Sequence, residues 1–329
     1  MIKKSSIVYG FFLSITGFLI AALLNALIPI TADVEITEYS VAGITVDINS
    51  TYRAVLIVLS AIFLVSGLIS LKDHDKWKKY VKGAPIRFAS GIALLVWDIL
   101  GTKWQLLPQP FFPGPAGIVE AFLIEPQFVL ENTLYSLRLY AAGFALGVVF
   151  GVGTGILVGW FPKVYYWVTP VLKVTGVIPA VAWMPFALTL LPTPFAAAVF
   201  LIVICVWFPV TSLTSQGIKS TPKVQFEAAR TLGSNTLDLV FRVAVPHALP
   251  QIFTGISTAN AFAFTTLVMA EMMGQPGGLG YYINLSKVWS AYYKVFAAIV
   301  VMAVLFSFIT AILERVEKYA LRWQKGLVR

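Results

Sequence analysis

The chain has 329 residues, 58% hydrophobic and only 12% charged, with 24 lysines and arginines against 15 acids for a formal net charge of +9. That composition excludes an ordinary soluble domain, and without a basic run interleaved with aromatics the positive excess is a membrane-topology signal rather than a nucleic-acid surface. The single cysteine, Cys205, lies in an apolar run, which excludes an internal disulfide or a multi-thiolate metal centre.

A spanning helix needs roughly 20 apolar residues. Eight segments meet that length: about 7–30, 53–71, 88–107, 133–160, 166–191, 194–217, 250–273 and 295–317. Lys3 and Lys4 precede the first run, Ile7 to Ile30, which exceeds a secretory-signal core and has no small-x-small cleavage site, so it reads as a retained signal anchor. The loop Thr31–Thr51 holds Asp33, Glu35, Glu38 and Asp47 and no lysine or arginine, and its alternation around Val34-Glu35-Ile36-Thr37 predicts a short strand.

After the second span come Lys72, Lys76, Lys78, Lys79, Lys82 and Arg87. Positive charge beside a span marks the cytoplasmic side, which by the same rule takes Lys3, Lys4, Lys163, the stretch Lys219–Arg242 and the tail Arg315–Arg329. An even number of spans requires both termini on one side, and the basic loops agree. The opposite side collects Glu120, Glu125 and Glu131, with Lys287 and Lys294 in its last loop.

The third span ends at Trp104-Gln105-Leu106-Leu107-Pro108 and leads through the proline-rich turn Pro108–Pro115. Ile118 to Leu130 then predicts an amphipathic helix along the outer interface. Gly143, Gly147, Gly151 and Gly155 recur every four residues in the fourth span, which permits close helix approach in a bilayer. The fifth is interrupted by Val177-Ile178-Pro179 and Trp183-Met184-Pro185. Each proline removes an amide donor and frees carbonyls that need protein or water. Pro179, Trp183, Met184 and Pro185 are therefore candidates for a translocation path, since transporters often bind substrate at broken helices; a kink that only serves packing is the equal alternative.

Asp98 and Glu271 fall at membrane depth, where an acid costs about 2.5–3.5 kcal/mol and a strong apolar residue returns only about 0.3–0.6. Each must face protein or water, or be neutral. Glu271 stands just before Gly274-Gln275-Pro276-Gly277-Gly278-Leu279-Gly280, near the outer mouth, and is a further path candidate. Arg138 is its candidate counter-charge, with snorkelling to the headgroups as the alternative.

Between two apolar blocks lies a polar, helix-capable insert, Thr221 to Pro250. Thr221-Pro222 predicts an N-cap and first turn, Gly233 a helix end, and Ser234 the cap of a second helix running to Pro246. On that second helix Leu237, Val240, Phe241 and Ala244 recur at helical steps, with Asp238 and Arg242 elsewhere on its surface. Such a pair suits docking in a partner's groove.

Here the chain resembles a known family. Glu227-Ala228-Ala229, three residues, Gly233, nine residues, then Val243-Ala244-Val245-Pro246 is similar to the coupling signature of ATP-binding-cassette importer permeases. Trp104-Gln105-Leu106-Leu107, Phe112–Pro115, Ser136-Leu137-Arg138 with Gly143-Phe144, Ile178-Pro179 with Ala182-Trp183-Met184-Pro185, Phe208-Pro209-Val210, and Ala270-Glu271 with Gly278-Leu279-Gly280 extend the resemblance to the nitrate, sulfonate, taurine and bicarbonate group over roughly residues 88–325.

The eight spans make this an all-α polytopic membrane protein of about eight transmembrane helices, of which the resemblance accounts for a core of six. A two-helix hairpin, 1–87, precedes a six-helix permease core, 88–329, whose cytoplasmic coupling helices lie at about 221–246. The resemblance also implies a multi-pass protein of a prokaryotic plasma (inner) membrane that works as a dimer with a second permease copy. The partners are a cytoplasmic ATPase dimer at Glu227, Ala228, Ala229, Gly233, Leu237, Phe241 and Pro246, and an extracytoplasmic solute-binding protein. The solute would be a small anion such as nitrate, sulfonate, taurine or bicarbonate. ATP and Mg belong to the partner ATPase, and no cofactor is expected on this chain. Three features depart from the pattern: residues 1–87 are additional, Leu190-Leu191-Pro192 replaces a Trp-Phe-Gly, and Leu213 stands where an asparagine is usual.

The chain has no GxxxxGK[ST], HExxH or GxSxG, and its two histidines, His74 and His247, fall in stretches read as cytoplasmic, so neither an ATPase nor another enzyme is expected. An ion-gradient-driven secondary transporter, with Asp98 and Glu271 as proton carriers, is the alternative. It has no use for the spaced signature.

Overall fold

The computed structural model describes residues 4–30, 38–41 and 44–323. Its helices are α1 (Lys4–Leu27), α2 (Ile48–Ser70), α3 (His74–Lys82), α4 (Ala84–Asp98), α5 (Pro115–Ile124), α6 (Pro126–Trp160), α7 (Pro162–Val177), α8 (Met184–Leu190), α9 (Pro194–Lys219), α10 (Lys223–Thr231), α11 (Thr236–Asp238), α12 (Val245–Met272), α13 (Leu279–Val288) and α14 (Tyr292–Ala320). Among the described residues seven helices are long and apolar enough to cross a membrane, or eight if α7 and the segment Ala180–Leu190, bent by 101°, are one span. Seven of the eight segments read from hydropathy are thus single long helices, and the eighth, 166–191, is this bent pair; the ends are shifted by caps and prolines. Beside the helices lies one antiparallel hairpin, β1 (Glu38–Val41) and β2 (Ile44–Asp47). The strand expected at Val34–Thr37 falls outside the described residues.

The chain forms two compact units, one of residues up to Gln127 with Ser286–Ala297, the other of Phe128–Leu285 with residues from Ala298 onward. In the first, α1 and α4 meet backbone to backbone. A Cβ built on Gly91 would stand 2.5 Å from the carbonyl carbon of Gly17, so both glycines are required at the crossing. Phe18, Ala21, Tyr52, Leu56 and Leu95 pack around that crossing. Asp98 is 1% exposed and answers the cost of its charge with neighbours: Asn25 of α1 donates to it at 2.8 Å and also to Asn49 of α2. A π-helical turn, Ile99–Lys103, follows Asp98, and the buried Lys103 ammonium donates to the Asn25 carbonyl at 2.8 Å near the end of α1.

The helix predicted across Ile118–Leu130 is two helices. Pro126 has no amide to continue α5, so the chain turns at Glu125 and Phe128-Val129-Leu130 joins the long α6. Glu125 itself pairs with Lys294 at 2.6 Å.

The second unit is built on a glycine ladder. Gly143, Gly147, Gly151, Gly155 and Gly159 on α6 face Ile202, Val206, Val210, Thr214 and Ile218 on α9, and a Cβ on any of the five would come within 2.5–2.7 Å of the opposing Cβ. Two rows with the same four-residue step interlock, which gives the bilayer-embedded pair its contact without a hydrophobic driving force. On the far side of α9, Gly217 faces Ala248 of α12. Asn260 of α12 accepts from Tyr140 of α6 and donates to Thr310 of α14, joining three spans by polar contacts.

Candidate functional site

Two regions of the second unit carry the candidate residues: an elbow at one end of α9 and a break between α7 and α8.

At the elbow, α10 starts at Lys223 with Pro222 in the cap position, and Thr221 is buried beneath it rather than acting as the cap. Its other end closes as the sequence requires. Gly233 has φ +84°, its amide donates to the Arg230 carbonyl at 2.9 Å, and the Ser234 amide donates to the Ala229 carbonyl at 3.1 Å. These two bonds are a Schellman ending, which needs a left-handed residue at Gly233. Ala229 supplies one of the carbonyls, and Glu227 and Ala228 are exposed on the same short helix. Phe226 points inward and packs edge-on against Trp160 at the end of α6, with ring centroids 5.5 Å apart.

The second helix differs from expectation in three ways. Its cap is Asn235, which accepts from the Asp238 amide at 2.9 Å, rather than Ser234. It does not stop at Pro246 but continues through the π-helical segment Leu239–Ala244 into α12, one helix from Thr236 to Met272. The widened π turn gives the Pro246 ring room where an α-helical turn would clash with it. The expected apolar stripe is also split: Val240 and Ala244 are buried, while Leu237 and Phe241 are 68% and 60% exposed. Leu232, at 86%, joins them on the surface. Asp238 and Arg242 form an exposed ion pair at 3.2 Å.

At the break, α7 ends at Val177, Ile178 and Pro179 are extended, and Ala180–Trp183 form a 3-10 turn leading into α8. A cavity of about 650 Å³ lies beside it, walled by Thr175–Val181, by Ile204, Cys205 and Phe208 of α9, and by Phe262, Thr265, Thr266 and Met269 of α12. Pro179 lines this cavity; Trp183, Met184, Pro185 and Glu271 do not. Met184 is buried against neighbouring helices, and Trp183 packs edge-on against Phe186 at 6.2 Å.

Glu271 is 1% exposed, and its carboxylate accepts the Gly280 amide at 2.8 Å. Asn132 and Ser136 of α6 accept the Gly278 and Leu279 amides at 2.9 and 2.8 Å. Together these three side chains accept three successive amides at the start of α13, which its own helix leaves without partners. Gly278 has φ +109°, and a Cβ there would stand 2.4 Å from the Glu271 carboxyl carbon. No ion pair joins Arg138 to Glu271 among the described residues; the exposed guanidinium lies over the Phe195 ring, 5.3 Å from its centroid. Sequence reading did not single out Asn132 or Lys103, because a lone polar residue at a span's edge shows no period and gains meaning only from the backbone it meets.

Residues 147–321 match the family described as binding-protein-dependent transport system inner membrane component. Similar curated proteins include the bicarbonate transport system permease CmpB of Synechocystis, 31% identical over 65% of this chain and 78% of its own length. The taurine transport system permease TauC of Escherichia coli is 29% identical over 73% of this chain and 92% of its own. The nitrate import permease NrtB of Synechococcus elongatus is 29% identical over 61% and 74%. Among solved structures, a chain of the MetNI methionine ABC transporter in inward-facing form superposes with a TM-score of 0.50 at 21% identity, over 60% of this chain and 98% of that one. That likeness is one of fold.

Proposed function

The chain belongs to the family of binding-protein-dependent transport system inner membrane components; it is a permease subunit of an ATP-driven importer and not an enzyme, and from that premise we propose how its parts share the task. Residues 88–329 are the permease core, and 1–87 are an added two-helix hairpin. Both termini and the elbow at 221–246 are cytoplasmic, a reading supported by the basic residues of Lys72–Arg87 and Lys219–Arg242. Two copies pair. A partner ATPase dimer, which holds the ATP and Mg, docks at Glu227, Ala228, Ala229, Gly233, Leu237, Phe241 and Pro246.

A solute-binding protein delivers the solute from outside, and the path follows the break at Pro179, Trp183, Met184 and Pro185, with Glu271 fixing α13 at its outer end. The solute is a small anion, as the taurine, bicarbonate and nitrate permeases among the relatives suggest. ATP binding and hydrolysis switch the path between outward and inward access. The elbow must therefore bind the two ATPase states unequally, because equal binding would shift nothing.

One observation supports this most: Val224, Leu232, Leu237 and Phe241 stand exposed on the insert, on and just after a helix ended by Gly233. Apolar side chains grouped this way mark a docking surface. The test is to reconstitute the permease with its ATPase and measure uptake and hydrolysis in parallel. Gly233→Pro, Ala228→Trp and Ala229→Trp are expected to insert normally, hydrolyse ATP and lose uptake. Unchanged uptake in all three removes the elbow from the mechanism.

A further inference from the structure

Residues 71–83 join α2 to α4 and hold α3, a nine-residue helix capped by the Asp73 carboxylate at one end and by Gly83 at the other. A helix that short is unstable alone, so packing must hold it. Trp77 and Tyr80, three residues apart and so on one face, are buried and stacked, with ring centroids 5.3 Å apart. A Cβ on Gly10 of α1 would stand 3.0 Å from the Trp77 ring, and one on Gly67 of α2 would stand 2.8 Å from the Tyr80 ring, so both rings lie directly on spanning helices. Arg87 of α4 fixes the same contact. Its guanidinium donates to Ser14 of α1 and to the Tyr80 carbonyl, each at 2.9 Å, and lies over the Tyr80 ring.

The opposite face carries lysines. Lys78, Lys79 and Lys82 are exposed, and steps of one, three and four residues bring them onto one side of α3, away from Trp77 and Tyr80. Lys76 pairs with Asp73 at 3.5 Å, but no carboxylate pairs with Lys78, Lys79 or Lys82 among the described residues. Orienting a span needs positive charge near its end, on backbone of any shape. Here the charge is gathered on a capped and docked helix, where Lys78 and Lys82 form a like-charge i,i+4 pair that weakens the helix unless an anion stands between them.

One class of anion is always within reach. α2 ends at Ser70 and α4 begins at Ala84, so α3 is tied to a spanning helix at both ends and stays at the bilayer surface, where phospholipid phosphates lie. Basic clusters immediately beside a span attract anionic headgroups, each lysine strengthening the attraction about fivefold. We propose that α3 is a docking face for anionic phospholipids, with Lys78, Lys79 and Lys82 holding the headgroup phosphates, and that the added hairpin thereby sets the lipid preference of this permease. The inference goes beyond the importer reading and is independent of it, since it requires only that the chain span a bilayer.

The test purifies the permease–ATPase complex in detergent micelles containing equal amounts of phosphatidylglycerol and phosphatidylcholine with matched acyl chains, and counts the retained lipids by native mass spectrometry. The wild-type complex is expected to retain phosphatidylglycerol over phosphatidylcholine by about fivefold or more. Lys78→Gln, Lys79→Gln and Lys82→Gln combined should bring that ratio close to one. Glutamine is a good helix former and these positions are exposed, so α3 is kept, and a monodisperse gel-filtration peak verifies it. A second triple variant, Lys163→Gln, Arg315→Gln and Lys318→Gln, removes the same charge from exposed positions elsewhere and should stay within about twofold of the wild type.

Equal retention of the two lipids by the wild type, or an unchanged ratio in the α3 variant, overturns the proposal. An equal fall in both variants also overturns it, because the attraction then belongs to the whole basic surface. Loss of the ATPase from the α3 variant at an unchanged lipid ratio assigns the face to a protein contact instead.

Discussion

Gly151 lies directly beneath Val210: a Cβ added to the glycine would come within 2.7 Å of the valine's own Cβ. Thr211 then donates to the Gly151 carbonyl at 3.1 Å, so side chain and backbone are fixed at the same level. Gly151→Val is expected to destabilise the protein by about 1–3 kcal/mol through overpacking. Thermal stability in detergent should fall accordingly, and Val210→Gly in the same chain should recover part of the loss. Full stability in the single variant contradicts the interlocked ladder.

The Trp160–Phe226 contact carries α10 on the end of α6. An edge-on aromatic pair is worth about 0.5–1.5 kcal/mol beyond its buried area. Phe226→Ala and Trp160→Ala should each reduce ATP-driven uptake more than ATP hydrolysis, and the double variant should be little worse than either one. Additive losses in that cycle show the rings act separately.

At the other end of the unit, Glu271→Ala leaves the Gly280 amide without its acceptor, a loss of about 1–3 kcal/mol for a buried donor. Glu271→Gln keeps an acceptor oxygen and should be milder. Gly278→Ala should be the worst of the three, because it combines a left-handed backbone with a direct collision against Glu271. The order of melting temperatures, Gln above Ala at 271 and both above Gly278→Ala, is the measurement.

Asp98 and Lys103 share Asn25, so the charges should be lost together more easily than singly. Removing one partner of a buried pair costs about 3–5 kcal/mol, because the other charge is left without compensation. Lys103→Met and Asp98→Leu should each lower the yield of monodisperse protein, and the double variant should recover much of it.

The exposed Asp73 carboxylate caps α3, and the Asp75 amide, then that of Lys76, hold its pKa below the usual carboxylate range. A lowered folded pKa means the cap is present above the unfolded value and is lost as pH falls through the folded one. Hydrogen exchange over residues 72–83, corrected for intrinsic rates, should therefore show less protection as pH drops from about 6 to about 3. Asp73→Asn should remove that dependence.

The spans, the glycine row and Gly233 were legible in the sequence because each leaves a periodic or positional trace: an apolar run, a four-residue step, a glycine where a helix must end. The helix from Thr236 through Pro246 was not. A proline ordinarily signals a stop, but this helix passes Pro246 by way of a π turn, which has no sequence signature, and then passes Pro250 as well. The same turn changes the angular step between residues, which is why Leu237 and Phe241 separate from Val240 and Ala244. The role of Glu271 was half legible. Its burial followed from the price of a charge in lipid, but its partner is a backbone amide nine residues later, and no side-chain pattern announces that.

That uninterrupted helix has a mechanical consequence. Its 37 residues make a shaft of roughly 55 Å at 1.5 Å per residue, with Phe241 near one end and Glu271 near the other. Phe241 lies in the π-helical segment Leu239–Ala244, and Pro250 lies between it and Glu271; these are the two places where the shaft can bend. On the proposed reading, movement at Phe241 reaches Glu271 only by way of those two bends.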